Sequence, residues 1–220
     1  MNEQGDSFRI FGLGLSRTAT TSLHLALLAL GMSAIHYPGQ RTLPWLYGVY
    51  SPRTTSQFEA FTDLPTPVYF RRLHETHPDA KFIYTRRDPG KWLDSCEQHF
   101  VHDTPLPSQF TILRDYIRLA TYGTMGFDRA RFEEVFHEHD ERVRAHFANH
   151  PDQLLTLDLD AGDLDWQRLV DFLHAEHPGA EVPFPHWRSP QLGRLQAITR
   201  DRRKQVQAQV LAQLRQQAAP

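Results

Sequence analysis

The 220-residue chain predicts an α/β fold, a parallel sheet flanked by helices in three layers. Three observations carry that expectation. Short apolar runs of strand character alternate with segments of helical period, the pattern of a parallel sheet covered on both faces. Two strand-to-helix junctions hold glycine, hydroxyl and arginine residues, at Gly12–Ser22 and Arg86–Ser95. In open parallel sheets ligands gather at the carboxyl ends of the strands, and both junctions belong to that edge.

Phe8–Phe11 is the first strand, and a helix runs from about Thr20 to Leu30, closed by Gly31 as a C′ residue. Ala34–Tyr37 is a second short strand, ended by Pro38-Gly39. A loop rich in Pro, Thr and Ser continues to about Thr55, with Trp45, Tyr47 and Tyr50 as local anchors. A helix from about Thr66 to Thr76 stops before Pro78. Lys81–Thr85 is the clearest buried strand, and the helix after it starts at Pro89 and reaches about Phe100.

Ser108–Asn149 reads as two or three helices without a strand, Leu154–Leu159 as a strand and Asp163–Glu176 as a helix. Beyond Pro183-Phe184-Pro185 a long helix spans roughly Leu195–Gln216. Its stripe of Leu195, Ile198, Val206, Val210, Leu211 and Leu214 packs on the domain or on a partner, which makes a homodimer through this helix one expectation.

Composition narrows the function. Hydrophobic residues at 40% and charged residues at 23% fit one domain over residues 1–220 with a real core. A net charge of −2 and a pI of about 6.7 supply no global basic field for nucleic acid or an anionic membrane, so any anion site is local. No apolar run approaches the roughly 20 residues of a membrane span, and the first residues lack a signal-peptide layout. The single cysteine, Cys96, precludes an internal disulfide and reads as a small core residue. A cytoplasmic location is expected.

The first junction reads Phe11-Gly12-Leu13-Gly14-Leu15-Ser16-Arg17-Thr18-Ala19-Thr20-Thr21-Ser22. A helix N-terminus presents unpaired N–H groups and the positive end of the dipole, which favour bound anions. Against the phosphate-loop pattern G-x-x-x-x-G-K-[ST] counted from Gly14, the lysine falls on Thr20. Its absence argues against phosphoryl transfer. What remains is a cradle of amides, the hydroxyls of Ser16, Thr18, Thr20, Thr21 and Ser22, and one cation, Arg17. The second junction carries Arg87-Asp88-Pro89, with Ser95 eight residues after Arg87 on the following helix. Arginine grips phosphate through parallel N–H bonds; Arg86, adjacent on the strand, points the other way.

These residues resemble the sulfotransferases that use 3′-phosphoadenosine 5′-phosphosulfate (PAPS). In that family a loop [KR]-[ST]-G-T-T-[SW] holds the 5′-phosphosulfate, and R-[ND]-P with a serine eight residues after its arginine holds the 3′-phosphate. Arg17-Thr18-Ala19-Thr20-Thr21-Ser22, then Arg87-Asp88-Pro89 and Ser95, match that arrangement, and Thr62-Asp63-Leu64-Pro65 resembles the T-H-L-P segment of the catalytic histidine. The similarity extends from about Phe8 to His186. It departs in Ala19 for the loop glycine, in Asp63 for the histidine, and in lacking an evident glycine-rich basic segment late in the chain. His186-Trp187-Arg188-Ser189 is a candidate replacement, with Arg188 on the 3′-phosphate.

The resemblance implies a phosphate-loop-like fold and transfer of a sulfuryl group from PAPS to a hydroxyl or amine of a small-molecule acceptor. The segment Thr18–Ser22, including Ala19, would hold the 5′-phosphosulfate with Ser16 beside it. Arg17 would neutralise the leaving oxygen, Arg87 and Ser95 would fix the 3′-phosphate, and no metal is required. Asp63 is the first candidate for the general base and His36, at the end of the second strand, the next. The apolar helical segment at about 108–150 would form the acceptor side. His146 and His150 have a metal-binding i,i+4 spacing but no completing ligands, so they, His137 and His139 read as a solvated helix face. Two other function classes stay open: a nucleotide kinase or NTPase with a degenerate loop, and a non-catalytic binder of phosphoadenosine nucleotides or interaction protein.

Overall fold

A computed structural model describes residues 8–38, 58–101 and 108–186. Five strands, β1 (Ile10–Gly12), β2 (Ala34–His36), β3 (Ala60–Thr62), β4 (Lys81–Arg86) and β5 (Leu154–Asp158), form one sheet in the order β2-β3-β1-β4-β5. Every pairing is parallel. The chain places β2 and β3 on one side of β1 before crossing to β4 and β5 on the other. The crevice of such a sheet opens where the order reverses, at the carboxyl end of β1.

The described helices are α1 (Thr20–Ala29), α2 (Phe70–Thr76), α3 (Pro89–Val101), α4 (Ser108–Tyr122), α5 (Arg129–Phe147) and α6 (Trp166–Leu173). Strand alternation sends neighbouring residues to opposite faces. Ile10 and Ile83 pack with Leu23 and Leu27 of α1 and Leu169 and Leu173 of α6, whereas Phe11 and Phe82 pack with Leu73 of α2 and Val143 and Phe147 of α5. A third cluster, around Trp92, Cys96, Ile117, Tyr122, Phe132 and Phe136, joins α3, α4 and α5 and reaches Leu15 and Leu64 at the site edge.

Several expectations change. β3 has no counterpart in the sequence reading, because three residues show no period and its identity comes from pairing with β1 and β2. The helix expected from Thr66 divides into a 3₁₀ turn at Thr66–Val68 and α2. The last described helix starts late, at Trp166, where Asp165 caps it by accepting from the Arg168 N–H. The histidines of α5 are not a uniform solvated face. His139 is 2% exposed and donates from Nε2 to the Leu13 carbonyl at 2.8 Å. His146 Nε2 lies 2.9 Å from His74 Nδ1. The aromatic loop with Trp45, Tyr47 and Tyr50, Trp187–Ser189 with Arg188, and the Leu195–Gln216 segment with its homodimer expectation lie outside the described residues. Among the described residues no helix is long and apolar enough to cross a membrane.

Candidate functional site

The first loop leaves β1 with its hydrogen-bond ladder extended by one step, the Leu13 N–H donating to the Ile83 carbonyl at 2.8 Å. Gly14 then passes against β4. A Cβ there would collide with Thr85 Oγ1 and Thr18 Oγ1 and stand 2.9 Å from the Thr85 carbonyl. Thr18 Oγ1 donates to the Leu15 carbonyl at 2.7 Å and lies 3.0 Å from Thr85 Oγ1. Thr18 is buried and its side chain shapes the loop from beneath, which corrects the expectation that this hydroxyl faces a ligand.

Arg17 and Ala19 adopt left-handed backbone conformations, with φ of 75° and 70°. Ala19 is the N-cap of α1 and makes no side-chain cap, so the α1 N-terminus keeps its amides directed at the crevice. An L-side chain in this conformation costs about 1 kcal/mol, and such strain collects at functional sites. Ala19→Gly is therefore expected to raise thermal stability by about 2–4 °C, read by calorimetry. A lower melting temperature would show that the Ala19 methyl, which packs against the core, outweighs the strain.

The second junction follows β4. Asp88 caps α3, its Oδ1 accepting from the Lys91 N–H at 2.9 Å, and Pro89 occupies the first helical position. Lys91 and Ser95 stand i, i+4 on one face of α3, and Arg87 sits in the turn two residues ahead of its first residue. Arg86 points away, pairing with Asp140 at 2.8 Å. Asp160, two residues past β5, accepts from the Asp88 N–H at 2.8 Å and from Lys91 Nζ at 2.7 Å, with its Oδ2 3.9 Å from Arg87 Nε. That contact depends on the β4–β5 register, in which Arg86 faces Asp158. The two junctions touch: Arg17 Nε donates to Ser95 Oγ at 3.1 Å across 78 residues of chain.

At the other end of the crevice β2 and β3 deliver His36 and Asp63. The register pairs His36 with Thr62, so Asp63 follows directly past the edge. Asp63 turns the chain with φ of 67°, a conformation aspartate tolerates better than most residues. Ser16 Oγ donates to Asp63 Oδ1 at 2.7 Å, and the Leu64 N–H donates to the same oxygen at 2.9 Å. His36 Nε2 stands 3.4 Å from Asp63 Oδ2 and 3.3 Å from Thr21 Oγ1.

Ser16, Arg17, Ala19, Thr20, Thr21, Ser22, His36, Asp63, Arg87 and Ser95 all line one cavity of about 650 Å³, within the range of ligand sites. Of the candidate site residues in the described segments, Thr18 stands outside it. Lys91, Gln98, His99, Leu159 and His186 complete much of the wall. Sequence reasoning missed Lys91, although its i, i+4 spacing from Ser95 marked the same helix face. No described residue of α4 lines this cavity, so the acceptor role expected of the 108–150 segment has no support at the crevice itself. Burial pushes the Cys96 thiol far up, in keeping with a core residue. Burial also lowers His139 to about 4, which leaves a neutral ring tying α5 to the loop at Leu13.

Comparison with known proteins bears on the family and on the fold. A family model described as a sulfotransferase domain matches residues 9–191. "Ava biosynthesis cluster protein M" of Aspergillus versicolor is 26% identical over 216 residues, covering 81% of this chain and 80% of that protein. The crystal structure of a sulfotransferase from Alicyclobacillus acidocaldarius superposes with a TM-score of 0.51 at 15% identity, covering 93% of this chain and 96% of that one, and bears on the fold alone. A parallel sheet with a phosphate-loop-like turn at its switch point, matched over residues 9–191, places the chain in the sulfotransferase family.

Proposed function

We propose that this sulfotransferase moves a sulfuryl group from PAPS to a hydroxyl or amine of a small-molecule acceptor, leaving adenosine 3′,5′-bisphosphate. The observation that carries the reading is the Arg17–Ser95 hydrogen bond, which brings two anion-binding junctions into one cavity. The residues fit a donor with anionic groups at two positions. Gly14 has no room for a Cβ, which lets the loop backbone close against β4. Arg87 Nε is buried without a hydrogen bond among the described residues, leaving its ion pair at 3.9 Å as a loose restraint. The relative's name, a biosynthesis cluster protein, supports a small-molecule acceptor.

PAPS would supply an activated sulfuryl group. The amides and hydroxyls at Thr20–Ser22 would hold its 5′-phosphosulfate, with Arg17 at the leaving oxygen. Arg87, Ser95 and Lys91 would hold the 3′-phosphate, and Asp160 would keep Arg87 and Lys91 in place. Charge grows on the leaving oxygen as the bond breaks, so catalysis rests on positioning and on fixed donors. Asp63 and His36 stand at the acceptor end as the groups able to take its proton.

The test is thermal stabilisation by adenosine 3′,5′-bisphosphate against ATP and AMP, with and without Mg²⁺. A ligand at a hundred times its Kd adds about 2.7 kcal/mol. For a chain of this size that is a rise of about 5–10 °C. The expected result is a Mg²⁺-independent rise with the bisphosphate that is lost in Arg87→Ala. Stabilisation by ATP with Mg²⁺ and none by the bisphosphate would sink the reading in favour of a kinase or NTPase.

A further inference from the structure

We propose that His74, His146 and Gln153 form a proton-operated clasp, which holds α2 against α5 and the entry of β5 at neutral pH and releases them in acid. The proposal is independent of the donor and the acceptor, because none of the three residues lines the cavity described above. The hydrogen bonds of the clasp run in one direction. Gln153 Nε2 stands 2.6 Å from the Pro78 carbonyl and 3.1 Å from the Ala80 carbonyl. Carbonyls only accept, so the amide nitrogen faces both of them and Oε1 is left as an acceptor. Gln153 Oε1 lies 3.0 Å from His74 Nε2, which therefore carries the proton of the ring. A neutral His74 with its proton on Nε2 presents a lone pair at Nδ1. That nitrogen lies 2.9 Å from His146 Nε2, which donates to it. Two backbone carbonyls thus settle both tautomers, and the relay joins segments 72 and 79 residues apart.

The surroundings make this relay sensitive to protons. His74 is 9% exposed, stacked on Phe147 and edge-on to Phe82 and His150. A proton added at His74 Nδ1 sets two donors against each other and breaks the bond to His146. A proton added at His146 Nδ1 keeps the bond but places an imidazolium among basic neighbours. Arg71 acts on it from α2 and His150 from the approach to the 3₁₀ turn Pro151–Gln153, with Glu75 of α2 opposing them. Arg142, one turn earlier on α5, turns back to the Glu138 carbonyl, and Lys81 of β4 is drawn off to the Asp152 carbonyl and the Phe172 ring.

Burial lowers the His146 ring below its ordinary value, and His74, Arg71 and His150 lower it further. A ring harder to protonate in the folded chain than in the unfolded one contributes stability that is full above about pH 6.5. That contribution fades as pH falls from there through the lowered folded value. The helix released is the one whose His139 holds the Leu13 carbonyl at the start of the first loop.

The first arm of the test needs no variant. A two-bond ¹H–¹⁵N correlation spectrum of the labelled full chain at about pH 8 is expected to show both neutral rings protonated on Nε2 and bare at Nδ1. A neutral His74 protonated on Nδ1 overturns the proposal. The second arm is melting temperature against pH, between about 7.5 and 5.5, in the wild type and in His146→Gln. The glutamine Nε2 takes the place of the ring Nε2 and donates to His74, but it accepts no proton. Burial also holds His77 and His139 below their ordinary value, and both titrate in either chain, so the difference between the two curves reports the clasp. The wild type is expected to lose about 2–4 °C more than the variant across this range, the scale of one hydrogen bond in a chain of this size. Equal losses, or a larger loss in His146→Gln, overturn the proposal.

Discussion

Arg17→Ala is expected to slow conversion of PAPS to adenosine 3′,5′-bisphosphate by about 10³-fold, and to weaken bisphosphate binding far less. Arg17 is the one cation in the Gly12–Ser22 loop, and its Nε is anchored on Ser95 Oγ at 3.1 Å. That anchor fixes the guanidinium at the join between the two strand-to-helix junctions. Charge on the leaving oxygen is small in bound PAPS and large as the sulfur–oxygen bond breaks. An interaction that strengthens along this path accelerates the step more than it tightens binding. Arg17→Lys should recover part of the rate, because an ammonium restores the charge but not the planar fork that reaches Ser95 and the phosphate together. Single-turnover kinetics beside calorimetric binding would separate the two effects. Equal losses in rate and affinity would mean that Arg17 only anchors a phosphate.

Gly14→Ala is expected to abolish nucleotide-dependent stabilisation and to lower the melting temperature of the free protein. The added methyl would meet Thr85 Oγ1, Thr18 Oγ1 and, at 2.9 Å, the Thr85 carbonyl. Two of these atoms belong to β4, held in the sheet by β1 and β5, and the third to a buried threonine that hydrogen-bonds the loop. The loop must yield rather than the sheet. Overpacking of this kind costs about 1–3 kcal/mol. That corresponds to a fall of roughly 2–12 °C in a chain of this size. Thr85→Ala added to Gly14→Ala should recover part of the stability by removing one of the clashes, since adjacent sites couple. Recovery stays incomplete because the backbone carbonyl remains. An unaltered bisphosphate response in Gly14→Ala would show that loop closure against β4 is not needed for binding.

The two strand-to-helix junctions were legible in the sequence because each is local. A strand end, a turn and a helix start fall within about a dozen residues, and helix geometry alone sets Lys91 and Ser95 on one face, just past Arg87 in the turn. The hydroxyl of Thr18 was misread because its direction depends on Thr85, 67 residues further along. β3 was missed because three residues carry no period, and with it went the reason Asp63 lies beside His36. His139 had a readable signal. Phe132, Val135, Phe136, His139, Val143 and Phe147 follow the i, i+3, i+4, i+7 rule of a buried stripe, and the charged residues between them obscured it.

The amino-acid sequence by itself determined the alternation of strands and helices, the place of both strand-to-helix turns and the resemblance to the sulfotransferases. Those features arise from neighbours in the chain, whose relative positions the backbone dictates. Tertiary structure decided which candidates meet: Arg17 with Ser95, Ser16 with Asp63, and Asp63 with His36. It also kept α4 off the cavity wall among the described residues. Contacts across 27 to 78 residues of chain follow from strand order and register, and these are settled by burying both faces of the sheet at once.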